Sequence, residues 1–211
     1  MRSGHTPEFL LTAGVAVDGA GTYDTADSAE YRFDPGHTVT MLAGALEALQ
    51  AVAAPGPGDP RRPQPLRLAE VLEDARDFTD SHADAPLDPA YAHMSRPELL
   101  VVLEEGLLRI GEAPEAHLVV SHGDAGLGAL CCRQGESVGF GGWERVALAD
   151  PHRDLAAAAA SVASELGPMT VPELFERLGV RVDPVRLDWW LLARQLTTEH
   201  DPGTHRAAQH P

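Results

Sequence analysis

The segment from Leu118 to Asp124 is an apolar run that ends abruptly in the polar triplet His122-Gly123-Asp124. Such a run predicts a buried strand, and the triplet predicts a loop at the mouth of a cleft. A carboxylate in that place could accept a proton from a substrate hydroxyl group. Asp124 is therefore the candidate catalytic base, with His122 beside it in what we call the His-Gly-Asp loop.

A second polar segment runs from Ala149 to Ala156 and contains Asp150 and Asp154. Together with the His-Gly-Asp loop, it resembles the aminoglycoside phosphotransferase and choline-kinase-like family, whose members are relatives of the protein kinases. In that family the loop is followed by a hairpin and then by Ala-Asp-x-x-x-Asp-Leu-Ala at the start of a helix. The resemblance implies a kinase-like C-terminal lobe, phosphoryl transfer from ATP with Mg²⁺, and hydrogen bonds from Asp154 that steady the loop.

The chain departs from the family pattern at the two positions that bind the metal. It has Ala129 where the family has an Asn, five residues after Asp124, and Gly142 where the family has an Asp. Neither residue offers an oxygen side chain to a hard cation. Glu144 could supply a displaced carboxylate, and the competing interpretation is a surface acid that is solvated or paired with Arg145.

This loss weighs against catalysis because phosphoryl transfer depends mainly on metal ions and cationic groups that neutralise developing charge. A positioned base such as Asp124 contributes only about 10² to 10⁴-fold. The chain also has no Lys, so the phosphate-binding Lys of a kinase N-terminal lobe is absent, although a GC-rich genome would also explain this composition. We therefore expect no cofactor, with ATP and Mg²⁺ as the alternative.

The elements that must position these residues follow from periodicity and turn chemistry, and they predict an α+β fold that is mostly α-helical. A hairpin is expected to turn at Gln134-Gly135. Ser95 and Glu98 form a capping box at a helix start. The apolar spacing predicts six helices: Thr38 to Val52, Leu68 to His82, Ser95 to Ile110, His152 to Leu166, Thr170 to Leu178 and Asp183 to Leu196.

The resemblance divides the chain into a hinge-like strand with an irregular lead-in (1–37), a kinase-like C-lobe (38–196) and a flexible tail (197–211). A Leu-Leu-Thr segment joins the two lobes in the family, and here only eight residues precede Phe9, where the corresponding strand begins. We therefore expect the N-lobe to be largely missing. Its loss would uncover an apolar face that binds another protein subunit or a second copy, formed by Phe9, Leu10, Leu11, Leu130, Phe140 and Trp143.

The formal net charge of −16 argues against nucleic acid and anionic membranes as partners. It favours a cationic peptide or small molecule, although acidity can also serve solubility alone. The two cysteines, Cys131 and Cys132, are too few for a disulfide framework or a metal site. No apolar run approaches the length of a membrane span. These features predict a cytoplasmic protein.

Three functions fit these observations. The first is a non-catalytic, pseudokinase-like binding or scaffold subunit that partners an active enzyme or a basic peptide, for example in a bacterial pathway that modifies natural-product peptides. The second is an ATP-dependent phosphotransferase, either aminoglycoside-type or a peptide kinase, completed by a partner chain. The third is an aminoglycoside-type kinase that works alone. We prefer the first, because the lost metal ligands belong to the lobe that is present, where a partner would have to reach in to replace them.

Overall fold

Six α-helices and five short strands form the part of the chain that the computed structural model describes, residues 23–82 and 86–197. The helices are α1 (Pro35–Gln50), α2 (Leu68–Ser81), α3 (Arg96–Ile110), α4 (His152–Glu165), α5 (Val171–Leu178) and α6 (Pro184–Leu196). The strands are β1 (Asp24–Thr25), β2 (Val119–Ser121), β3 (Leu130–Arg133), β4 (Glu136–Phe140) and β5 (Ala147–Ala149). The prediction of a mostly helical α+β fold is confirmed. Phe9, Leu10, Leu11 and the tail from residue 198 onward lie outside the described ranges.

Local capping chemistry sets several helix starts. The Ser95 capping box forms as predicted, since Glu98 accepts a hydrogen bond from the Ser95 backbone N–H at 2.8 Å. Asp183 caps α6 by accepting from the backbone N–H of Val185 at 2.9 Å. Asp34 accepts from the N–H of His37 at 3.0 Å, so α1 begins at Pro35, three residues before the predicted start. A carboxylate followed by Pro was the signal for this earlier start.

The strands form two small antiparallel sheets. One has the order β1-β3-β4, and its β3-β4 hairpin turns at Gln134 and Gly135 as predicted, both with positive φ (54° and 81°). The other pairs β2 with β5. The loop before α2 is held on β5, because Leu148 donates to the Gln64 carbonyl at 2.9 Å and accepts from the Leu66 N–H at 2.8 Å. The second sheet supports the His-Gly-Asp loop, which follows β2 directly.

The apolar residues gather in two clusters that together hold the sheets and helices in place. The first lies between α1, α4 and the strands and includes Leu42 and Val120. The second joins α2, α3 and α6 and includes Leu103, Trp189 and Trp190. Trp189 donates its indole N–H to the Leu103 carbonyl at 2.9 Å. Both tryptophans of α6 are buried in this cluster.

The predicted interface face is wrong for two of its members within the described residues. Leu130 and Phe140 are 0% exposed and belong to the first cluster, together with Leu42 and Leu46 of α1. The hairpin directs both side chains inward, where this chain itself covers them. Trp143 is half-buried, and its indole N–H donates to the Phe140 carbonyl at 2.7 Å. No helix in the described ranges is both long and apolar enough to cross a lipid bilayer.

Candidate active site

Asp154, in the first turn of α4, anchors the backbone of the His-Gly-Asp loop. Its two carboxylate oxygens accept hydrogen bonds from the backbone N–H groups of His122 (2.9 Å) and Gly123 (2.8 Å). The residue is 2% exposed. A buried carboxylate is well placed here, because it satisfies two buried donors and lies in the first turn of a helix. This geometry matches the steadying role that the family resemblance implied for Asp154.

Gly123 is required by the conformation of the loop and by what packs on it. Its φ is +93°, a region that side chains with a Cβ rarely adopt. A Cβ atom there would lie 2.6 Å from Nη2 of Arg153 and 2.8 Å from Cβ of Arg145. Arg153 is buried and donates to the Arg145 carbonyl at 3.1 Å. The loop is thus closed against two arginines, with no room for a side chain at its centre.

His122 is buried with both ring nitrogens in use. Nε2 lies 2.7 Å from the Gly141 carbonyl, and Nδ1 accepts from the backbone N–H of Asp124 at 3.2 Å. These partners assign the neutral tautomer that carries its proton on Nε2. Burial lowers the pKa of His122 below its ordinary value, although the nearby charges of Asp154 and Asp124 act in the opposite direction. His122 therefore holds the loop to the segment after β4 as a neutral group.

A pH dependence of stability follows from this buried, neutral imidazole. Because the pKa of His122 is lower in the folded chain, only the unfolded chain takes up its proton as pH falls through about 6.5. The stabilisation from neutral His122 is complete above that pH and declines toward the lowered pKa. We expect the free energy of unfolding to fall between about pH 7.5 and about pH 5.5 by more than in His122→Gln.

Urea titrations of both proteins at matched pH values measure this difference. The substitution leaves the remaining histidines in place, so their contribution cancels in the comparison. Equal pH dependence in the two proteins would contradict a lowered pKa for His122.

Asp124, the candidate base, makes a contact that the sequence did not predict. Its Oδ1 accepts a hydrogen bond from Nη2 of Arg194 at 3.1 Å. The side chains of Asp124 and Arg194 are 18% and 8% exposed. The sequence held one sign of this contact: Arg194 lies near the C-terminal end of α6, where most of the neighbouring residues are apolar and predict burial. Sequence reasoning assigned no site residue to that helix, and so it missed the partner of the base.

Asp150, in the polar segment from Ala149 to Ala156, is buried and accepts hydrogen bonds on both carboxylate oxygens. Its Oδ1 accepts from the ring of His152 at 2.7 Å, and its Oδ2 accepts from Arg186 at 2.7 Å. Arg186 also donates to the Ile110 carbonyl at 2.7 Å, and His152 accepts from the Asp183 N–H at 3.1 Å. Burial opposes the charged form of Asp150, but the bonds from His152 and the charge of Arg186 outweigh it and keep the pKa of this carboxyl below its ordinary value. This network ties together the start of α4, the end of α3 and the start of α6.

Comparison with known proteins identifies the family of this chain. A sequence model of the phosphotransferase enzyme family (APH) matches residues 15–190. The chain belongs to this family. A search of curated proteins gives no significant match.

Solved structures of APH-like enzymes share the fold. The aminoglycoside phosphotransferase APH(3'')-Id from Streptomyces rimosus is 25% identical with a TM-score of 0.66, over 82% of this chain and 66% of that enzyme. An aminoglycoside-3'-phosphotransferase of type VIII is 24% identical with a TM-score of 0.67, over 90% and 77% of the two chains. A choline/ethanolamine kinase family protein from Mesorhizobium loti is 16% identical with a TM-score of 0.58, over 89% and 63%. The chain thus spans just under two thirds of the length of the Streptomyces enzyme.

The two positions that bind metal in the APH pattern lie side by side in the structure. The N–H of Gly141 donates to the carbonyl of Ala129 at 2.9 Å, which brings Ala129 next to Gly142. A Cβ atom on Gly142 would lie 3.6 Å from Oε2 of Glu144. Glu144 is exposed and reaches the space beside Gly142, where the expected Asp would stand.

This donor set does not fit Mg²⁺, which prefers several oxygen ligands in octahedral geometry. Ala129 and Gly142 contribute no side-chain oxygen, and Glu144 is a single carboxylate. Across residues 23–82 and 86–197, no group of three or more His, Cys, Asp or Glu side chains is placed to hold a metal ion. The residues at this site therefore do not provide a set of ligands for Mg²⁺.

Proposed function

We propose that this APH-family chain is a non-catalytic, pseudokinase-like binding or scaffold subunit. The proposal rests on the state of the site. The candidate base, Asp124, is paired with the buried Arg194, and both metal-ligand positions lack a side-chain oxygen. The lobe keeps the contacts that shape the His-Gly-Asp loop, as the Asp154 anchor shows. Its described residues provide no set of Mg²⁺ ligands, and in such enzymes metal ions supply much of the rate by neutralising charge on the transferred phosphoryl group.

The pairing of Asp124 with Arg194 adds a second obstacle to catalysis. A general base must be within hydrogen-bond reach of the substrate proton and free to accept it. Oδ1 of Asp124 already accepts from Arg194 at 3.1 Å. A substrate hydroxyl would have to compete with a charge-assisted hydrogen bond between partly buried groups.

The partner that we propose is another protein subunit, with self-association as the alternative. Three apolar side chains of α3, those of Val101, Val102 and Leu108, are exposed, and contiguous exposed apolar surface often marks an interface. The net charge of −16 suits a basic peptide bound elsewhere on the surface. We place this subunit in the cytoplasm, in a pathway such as the modification of a bacterial natural-product peptide.

The test of this proposal is nucleotide binding. We expect no Mg²⁺-dependent ATP binding in calorimetric titrations of the purified protein, up to about 1 mM nucleotide. The Streptomyces APH relative, whose structure has been solved with ADP, is the positive control. Mg²⁺-dependent ATP binding in the micromolar range would overturn the non-catalytic proposal.

A second candidate function is an ATP-dependent phosphotransferase, either aminoglycoside-type or a peptide kinase, completed by a partner chain. The observation that favours it is the carboxylate of Glu144 beside Gly142. If Glu144 replaces the missing metal ligand, ATP binding should be present with Mg²⁺ and should disappear in Glu144→Ala. Glu176→Ala, at an exposed position of α5, is the matched control.

A further inference from the structure

Arg194 places a guanidinium group in contact with the candidate base, Asp124, and the space in front of these two side chains is called the cleft below. Nη2 donates to Oδ1 of Asp124 at 3.1 Å, and the residue is 7% exposed. An Arg side chain stays protonated at every physiological pH. The cleft therefore contains a permanent positive charge in contact with the carboxylate that a cationic ligand would seek.

The hydrogen bonds of Arg194 are incomplete. Nε and Nη1 are buried and have no hydrogen-bond partner within the described ranges. Buried donors are nearly always paired, and those of a charged group most strongly need acceptors. Oxygen atoms of a carboxylate or a phosphate are the acceptors that best match a guanidinium group. Both nitrogens are shielded from solvent. A ligand therefore binds Arg194 when the guanidinium gives up its hydrogen bond to Asp124 and donates to the oxygen atoms of the ligand instead.

The other charges around the His-Gly-Asp loop do not favour a cation either. The loop carries or contacts two carboxylates, those of Asp124 and Asp154, and two guanidinium groups, those of Arg153 and Arg194. The guanidinium of Arg153 lies against Gly123. The local charges thus balance, although the whole chain carries −16. A polycation gains no net attraction at this place.

We propose that Arg194 makes the cleft over Asp124 a binding site for a ligand that carries a carboxylate or phosphate group, and that it excludes polycationic ligands. The Streptomyces relative is known in complex with streptomycin, a polycation. This inference rests on the proposed binding function, because it names the ligand class of the same cleft. It assigns ligand selection to a residue at the end of α6.

The experiment titrates the full chain, without nucleotide and in a phosphate-free buffer, with three probes: inorganic phosphate, glutarate and streptomycin. We expect at least one of the two oxyanions to bind and streptomycin to bind more weakly. Arg194→Gln should weaken oxyanion binding by about 10-fold or more, since a hydrogen bond to a charged group is lost. Arg177→Gln, which removes an exposed guanidinium on α5, should leave the affinity unchanged.

A second variant tests the same contact in the opposite direction. Asp124→Asn weakens the intramolecular competitor for Arg194, so oxyanion affinity should rise by roughly 3-fold or more. The Asp124→Asn variant tests the proposal even if Arg194→Gln does not fold. Tighter binding of streptomycin than of both oxyanions, binding of neither oxyanion, or affinities that neither variant changes would each overturn the proposal. Mg²⁺-dependent ATP binding would instead overturn the proposed function and leave these titrations interpretable.

Discussion

Replacing Asp154 with Ala is expected to lower the free energy of unfolding by about 3 to 5 kcal/mol. The carboxylate is 2% exposed and accepts from two buried backbone donors, those of His122 and Gly123. Both donors lose their acceptor in the variant, at a place that water does not reach.

Urea unfolding followed by circular dichroism measures the effect of Asp154→Ala. Asp188→Ala is the matched control, because Asp188 is an exposed Asp on a helix and its loss should change stability by about 0.5 kcal/mol or less. Asp154→Asn keeps one acceptor oxygen and should fall between the two. A loss below about 1 kcal/mol in Asp154→Ala would show that the loop does not depend on this anchor.

Replacing Gly123 with Ala is expected to destabilise the chain by about 3 kcal/mol or more. The residue has a φ of +93°, and a new Cβ atom would lie 2.6 Å from Nη2 of Arg153 and 2.9 Å from the Arg145 carbonyl oxygen. Atoms this close must shift. The carbonyl is part of the backbone that leads into β5, so the loop and its support would both be displaced.

Gly135→Ala separates the two sources of this effect. Gly135 also has a positive φ, +81°, but nothing lies within 4 Å of its would-be Cβ. Its substitution should therefore show only the backbone strain, about 1 to 2 kcal/mol. Thermal or urea unfolding of both variants gives the difference. Equal destabilisation would mean that Arg145 and Arg153 do not close on Gly123.

The sequence by itself determined the features that depend on nearby residues. The Ser95 capping box, the Asp183 cap and the Gln134-Gly135 turn each rest on side chains and φ preferences within a few positions. The same holds for the His-Gly-Asp loop after a buried strand. Counting along the chain also located Ala129 and Gly142 at the metal-ligand positions, because a fixed family spacing needs no coordinates.

Tertiary structure decided which distant groups meet. Asp124 and Arg194 are 70 positions apart, and no local pattern predicts that they form an ion pair. The inward packing of Leu130 and Phe140 was likewise missed, because strand alternation alone does not say which face the helices cover. The neutral state of His122 comes from its burial. In each case the physical reason is the same: desolvation and charge pairing depend on what the fold brings together, and this sets the chemistry of the cleft.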